Sequence, residues 1–239
     1  MCGRYGLKQQ PEEWKPVFLP LLSSDALPEL LPDRVTRPRY NIAPTQPVAI
    51  VRNDEGKTHV AAARWGLVPF WADDLAIGNR MINARSETVH EKTSFKHAFR
   101  KRRCLIPADG YYEWRKEGRH KQPYWIHPAS AAVGVLAMAG LWEVNRKASQ
   151  SPVVTCTVLT TAANDRTGEI HDRMPVFLAP EHHAAWLDPE LSDADGLREL
   201  LRPADEELLA IDAVSRYVSN ASNEGPQCQA PPEQPGLLD

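Results

Sequence analysis

The chain has 239 residues, 42% hydrophobic and 25% charged. That excludes a disordered or fibrous class and leaves one large domain or two small ones, each with a core. The longest apolar run, Ala131–Trp142, is too short to span a bilayer, and no apolar segment precedes a cleavage site near the N-terminus. No membrane partner is therefore expected, and the protein is placed in the cytoplasm, at the nucleoid when on DNA. The net charge of −3 hides an uneven spread. Residues 181–239 hold 13 acidic against 3 basic side chains, a net of −10, while residues 1–180 hold 25 basic against 18 acidic, a net of +7. A basic body fits a phosphate-bearing partner; a solvated, mixed-charge surface is the other reading.

In chain order, residues 5–10 read as a short strand. Pro11-Glu12-Glu13-Trp14 opens a helix, with proline in its first turn and acids at its positive end. Leu19–Pro38 reads as an irregular connection, and Arg39–Pro44 as a strand running into a turn. Pro47–Arg52 and His59–Trp65 are two strands joined by the turn Asn53–Gly56. Gly66–Arg80 is a loop crowded with bulky residues. Ser94 is placed to cap a helix carrying Phe95, Ala98 and Phe99 on one side. Candidate strands follow at Cys104–Pro107, Tyr111–Lys116, Tyr124–His127, Val133–Trp142 and Val153–Leu159, with Gly118–Lys121 as a basic turn. Thr160–Asp172 is polar, Pro175–Leu178 is strand, Pro180–Leu187 and Ala194–Leu201 are short helices, and Leu208–Val218 returns as strand. Asn223–Asp239, with four prolines, is expected to be a disordered tail. These elements predict an α+β fold: one β-dominated domain over 1–222, with a mostly antiparallel, barrel-like sheet and short flanking helices.

Cys104 and Cys156 sit in apolar strand-like runs and Cys228 in the Pro-rich tail, so reduced thiols are expected. No CxxC pair or other close Cys/His spacing suggests zinc. No metal or cofactor is expected.

Three segments set reactive side chains among Gly, Pro and aromatics. In Asn83-Ala84-Arg85-Ser86-Glu87, Asn83 can orient an intermediate and Arg85 can clamp a phosphate; a helix cap with a surface ion pair is the plainer reading. In Pro107–Trp114, strand alternation puts Tyr111 and Glu113 on one face and Tyr112 and Trp114 on the other. A carboxylate among aromatics tends to a raised pKa and can move protons; an exposed strand glutamate is the alternative. In Glu169–Pro175, His171 is a candidate acid or base and Arg173 a phosphate contact, against a polar loop histidine. At the N-terminus, Met1-Cys2-Gly3-Arg4 offers a further chemistry. Removal of Met1, permitted by the small Cys2 side chain, would leave an α-amine and a thiol on one residue. The amine condenses with an aldehyde to an imine, and the thiolate then closes a five-membered thiazolidine. Ordinary pKa values of roughly 8 and 8.5 leave both groups partly reactive near neutrality.

These blocks, together with Tyr40-Asn41-Ile42-Ala43-Pro44, Arg64-Trp65-Gly66-Leu67-Val68-Pro69, Cys104–Trp114 and Ile170–Pro175, closely resemble the signature segments of the SRAP (SOS-response-associated peptidase) family. The match runs in order from residue 2 to about residue 220. The resemblance implies a protein that recognises abasic sites in single-stranded DNA and crosslinks to their ring-opened aldehyde through the N-terminal cysteine, shielding the lesion. By motif position Cys2 would be the nucleophile, Asn83 would hold the intermediate, Glu113 would handle protons at the amine, and His171 would serve sugar ring opening and reversal. Arg4, Arg85 and Arg173 would hold phosphates. Asn41, Pro44, Trp65, Pro69 and Trp71 would shape the DNA cleft, with Trp65 and Trp71 able to stack on bases, and Thr160 would line the lesion pocket. A monomer is expected. Two rivals share the sequence: an N-terminal-nucleophile cysteine peptidase or amidohydrolase that also removes its own Met1, and a plain single-strand binder with a structural Cys2.

Overall fold

The computed structural model describes residues 2–23 and 31–233. Its strands are β1 (Tyr5–Leu7), β2 (Arg39–Ile42), β3 (Pro47–Asp54), β4 (Lys57–Trp65), β5 (Asn83–Arg85), β6 (Arg103–Ala108), β7 (Gly110–Glu117), β8 (His120–Pro128), β9 (Leu136–Asn145), β10 (Val153–Ala162), β11 (Arg173–Pro175) and β12 (Leu209–Ala213). The helices are short: α1 (Pro11–Trp14), α2 (Asp33–Thr36), α3 (Lys96–Lys101), α4 (Asp165–Gly168), α5 (Pro180–Leu187) and α6 (Ala194–Glu199). None of the described helices is long and apolar enough to cross a membrane.

The fold is α+β and strand-rich, as expected, but the strands form two sheets rather than one. The first runs β12-β8-β7-β1-β2 and is antiparallel throughout. The second is a ring, though not a true barrel. β4, β3, β6, β9 and β10 pair antiparallel in that order, and a short parallel contact of Thr155 and Cys156 with Arg64 and Trp65 returns β10 to β4. β5 and β11 are added along the far end of β10. Apolar side chains from both sheets meet in one core, with Ile50, Leu105, Leu141, Val158 and Trp186 fully buried. The β3–β4 hairpin closes on Glu55 and Gly56, whose φ values of 51° and 81° fit the two-residue turn that matches strand twist.

Arg103 is a structural hub that the chain's charge balance does not reveal. It is 2% exposed. Its guanidinium donates to the carbonyls of Phe99 and Arg100 in the last turn of α3, each at 2.8 Å. It also donates to Trp186 at the end of α5 (2.6 Å), to Asp188, and to Leu191 (2.9 Å). One cation thus satisfies the orphan carbonyls of two helix C-termini and pins both to β6.

Several elements differ from expectation. The last strand stops at Ala213, because Ser215 Oγ accepts the Tyr217 N–H and starts a 3-10 turn over Arg216–Ser219. Ser94 does not cap α3; the backbone already turns at Lys92, whose carbonyl accepts from Lys96 N–H, and Phe95 occupies the cap position. The basic turn is only Gly118-Arg119, and His120 pairs with Glu117 inside the β7–β8 ladder. Part of the Leu19–Pro38 connection is helical, at α2, while residues 24–30 lie outside the described residues. The Pro-rich tail is ordered as far as residue 233: Cys228 is fully buried against Tyr112, Trp125, Val214 and Val218, which is packing a disordered segment could not offer. Residues 234–239 lie outside the described residues.

Candidate functional site

The site begins where β1 lies between β2 and β7. Tyr5 pairs with Tyr111 and Gly6 with Gly110. A Cβ on Gly110 would stand 2.5 Å from the Ile126 carbonyl and 2.8 Å from the Trp125 ring, so only glycine allows this approach. The Tyr112 N–H donates to the Arg4 carbonyl at 2.9 Å. Continuing the register brings Cys2 and Gly3 alongside Glu113.

Cys2 is fully buried. Burial pushes its thiol well above the ordinary range, the nearby Glu113 carboxylate pushes it further, and the Arg4 backbone N–H opposes both. Its carbonyl accepts from Asn83 Nδ2 at 2.7 Å. Asn83 is held by β5, which lies parallel to β10 with Asn83 opposite Val158 and Arg85 opposite Thr160. Trp65 anchors the approach to β5 through Nε1 and the Ile82 carbonyl, at 2.8 Å.

Glu113 is 4% exposed. Burial raises its carboxyl above the usual range, and the charge of His171 works against that rise. A carboxyl so placed holds its proton closer to neutrality than a surface glutamate. His171 Nδ1 accepts the Arg173 N–H at 3.0 Å and lies 2.9 Å from Asp172 Oδ1. Both contacts fall on Nδ1, so the ring is oriented by the two residues that follow it. Four separate segments thus converge on one point: the N-terminus, β5, β7 and the loop before β11.

Around them, Thr160 is fully buried, and its carbonyl accepts from Ser86 N–H (2.8 Å) and from Arg173 Nη2 (2.7 Å). Arg173 also grips Glu87 with two bonds of 2.6 and 2.9 Å, which hold the Glu87 carboxyl below its usual range. Arg85 is exposed. Tyr111 was given no role by sequence reasoning, yet it is fully buried beside Cys2 and Glu113, and burial and those two neighbours push its hydroxyl up. The signal was present: alternation puts Tyr111 on the Glu113 face.

Other expected residues fall elsewhere. Trp65 is 1% exposed, with its ring edge-on to Tyr5 at 5.4 Å; it is core and presents no face for stacking. Trp71 is 42% exposed beside the exposed Phe70. Pro69 is buried and its carbonyl accepts from Asn145 Nδ2 at 2.7 Å. This loop is tied to β10 at Thr155, whose Oγ1 accepts the Val68 N–H at 2.9 Å; about 16 Å of strand separates that anchor from Thr160. Pro44 is half-buried in the turn after β2. Arg4 and Asn41 bond to each other at 2.8 Å and to the segment after β12. A groove of about 760 Å³ between β9, α5 and α6, lined by Leu136, Phe177, His182 and Leu200, holds none of the predicted site residues. Among the described residues no group of three or more His, Cys, Asp or Glu side chains could hold a metal ion.

A family model described as SOS response associated peptidase (SRAP) matches residues 1–221. The chain is 38% identical over 228 residues to the abasic site processing protein YoqW of Bacillus subtilis (strain 168), covering 95% of this chain and 98% of the relative. It is 31% identical over 234 residues to the abasic site processing protein YedK of Escherichia coli (strain K12), covering 97% and 100%. The fold is similar to that of a protein from Bacteroides thetaiotaomicron known by X-ray crystal structure, with a TM-score of 0.78, 26% identity, and coverage of 96% and 99%.

Proposed function

Because the chain belongs to the SRAP family, we propose that it processes abasic sites in DNA, as its relatives are named for doing, and that it does so covalently through Cys2 in single-stranded DNA. The observation that carries this reading is the convergence of Cys2, Asn83, Glu113 and His171 at the chain's N-terminus.

The chemistry requires that Met1 leave, since an amide nitrogen does not condense with aldehydes. The freed α-amine then attacks the C1′ aldehyde of the ring-opened sugar. The carbinolamine loses its hydroxyl as water, with Glu113 donating the proton, and a protonated imine remains. The Cys2 sulfur attacks the imine carbon and its proton passes to the Glu113 carboxylate, which regains the proton it gave. One C–N and one C–S bond form and one water is released. A buried thiol with a raised pKa needs such a base close by. His171 moves the proton that opens the sugar ring, and its return reverses the adduct. Asn83 fixes the Cys2 carbonyl so that amine and thiol keep their geometry. Arg85 and Arg173 hold phosphates, Thr160, Pro44 and Pro69 shape the cleft, and Trp71 stacks on a flanking base. The protein acts as a monomer in the cytoplasm, shielding the strand rather than turning over rapidly.

The test uses protein shown by mass spectrometry to lack Met1, an oligonucleotide with one abasic site, and a denaturing gel. A shifted band that disappears in Cys2→Ala is expected. Absence of any band from verified Met1-free protein sinks the proposal, and turnover of peptides or amides in its place would support the hydrolase reading. The two tryptophans are also expected to part company. Trp71→Ala weakens single-strand binding by about 1–3 kcal/mol in fluorescence anisotropy with little change in melting temperature, whereas Trp65→Ala lowers the melting temperature. Equal losses of affinity with no loss of stability in either variant would contradict this assignment.

A further inference from the structure

Chain ends fray unless something ties them down, and a reacting residue at position 2 needs a tie that lasts. Cys2 and Gly3 precede β1, so their position depends on a few bonds. Asn83 holds the Cys2 carbonyl, and Tyr112 N–H holds that of Arg4. A further tie is the Arg4 side chain, whose Nη1 donates to Asn41 Oδ1 and to the Val218 carbonyl, each at 2.8 Å. Its guanidinium carbon lies 5.6 Å from the centre of the Trp114 ring.

Both of those partners are fixed in turn by the chain's far end. Asn41 Nδ2 reaches the carbonyls of Val218 (3.3 Å), Asn220 (3.0 Å) and Asn223 (2.8 Å). The Glu224 carboxylate accepts the Tyr40 N–H and stands 3.6 Å from Arg39 Nε. Ser215 N–H donates to the Ala230 carbonyl at 2.7 Å, which closes the segment on itself. Lys8 Nζ donates to Gln229 Oε1 at 3.2 Å, and Cys228 is buried behind Tyr112. Residues 223–230 therefore lie against β2, Lys8 at the end of β1 and Tyr112 of β7, although the SRAP family model ends at residue 221.

We propose that Asn220–Gln229 is a strap that positions the Cys2 nucleophile. Glu224 and Asn223 act as positioning residues through Asn41 and Arg4, and Arg4 and Asn41 serve this tie rather than DNA. The inference rests on the covalent reading of Cys2 for its importance to function, but its physical content, that the strap immobilises Cys2, stands apart from it.

The experiment compares the intact protein with Glu224→Ala, Glu224→Gln and a chain ending at Ser222, all lacking Met1. The first readout is the rate of thiol alkylation by iodoacetamide, resolved by peptide mapping. Cys104 and Cys156, both fully buried in the core, report on global opening. The strap predicts that Glu224→Ala and the shortened chain speed alkylation of Cys2 by about tenfold or more while Cys104 and Cys156 keep their rates. Glu224→Gln, whose amide oxygen can still accept the Tyr40 N–H, restores most of the protection. The second readout is the rate constant for crosslinking at saturating abasic oligonucleotide. It falls by about tenfold or more, with affinity for the same sequence lacking the lesion held within about twofold. Unchanged Cys2 alkylation in both Glu224→Ala and the shortened chain overturns the strap, as does parallel acceleration at all three cysteines. If the intact protein forms no crosslink, the covalent reading fails and the alkylation pattern still decides the strap. If the shortened chain does not fold, the full-length Glu224 variants decide it.

Discussion

Replacing Glu113 with glutamine is expected to slow crosslinking to an abasic oligonucleotide by about 10²- to 10⁴-fold while making the protein harder to melt at neutral pH. The two effects share one cause. Burial raises the Glu113 carboxyl pKa, so ionising it costs more in the folded chain than in the unfolded one. The folded state therefore loses stability as pH rises from the ordinary glutamate value of about 4.3 toward the raised native value. Glutamine removes that cost, and a gain of about 1 kcal/mol corresponds to roughly 2–4 °C for a chain of this size. Well below the ordinary value, at about pH 3, the carboxyl is protonated in both states and the gain should vanish. Single-turnover gel assays and calorimetry at neutral and acidic pH check both halves. A variant that crosslinks at the normal rate would remove Glu113 from the proton path.

Arg103→Met is expected to destabilise the fold by roughly 3–5 kcal/mol, a fall in melting temperature on the order of 10 °C. The guanidinium serves five carbonyls at the ends of α3 and α5. Methionine fills much of the volume and serves none of them, so buried acceptors lose their donors. Arg103→Lys is the informative control. A point ammonium keeps the charge but cannot reach both helix ends with a planar fork, so it should fall between the other two. Denaturant melts measure the series, and a lysine variant as stable as the parent would contradict the argument.

What the sequence made legible followed from local rules. The β3–β4 hairpin was readable because its turn and its alternation are both encoded within twenty residues, and the Tyr111/Glu113 face followed from strand period alone. The misses that bear on the site depended on long-range contacts. Trp65 and Trp71 look equivalent in the chain, but only Trp65 is enclosed, by Tyr5 and β5. The basic balance of residues 1–180 fits either a phosphate partner or a mixed-charge surface, and several of those cations are committed internally. Arg103 caps helices, Arg39 is buried, and Arg52 and Arg102 lie over the Trp142 ring at 4.3 and 5.4 Å. The tail was read as disordered from its prolines, and only the folded partners Tyr112, Trp125 and Asn41 give it somewhere to go.

The bond from Arg4 to Val218 joins residues 214 positions apart. A ribosome adding about 5–20 residues per second makes the second partner roughly 10–40 s after the first. Through that interval the nascent chain gains Asn83 and Tyr112, which hold the Cys2 and Arg4 carbonyls, but not the Val218 carbonyl that the Arg4 side chain reaches. Release of the last segment, rather than translation of Cys2, is the event that lets the Arg4 side chain reach its second partner. A chain cut short before Val218 would keep Cys2 while losing the carbonyls that Arg4 and Asn41 bond.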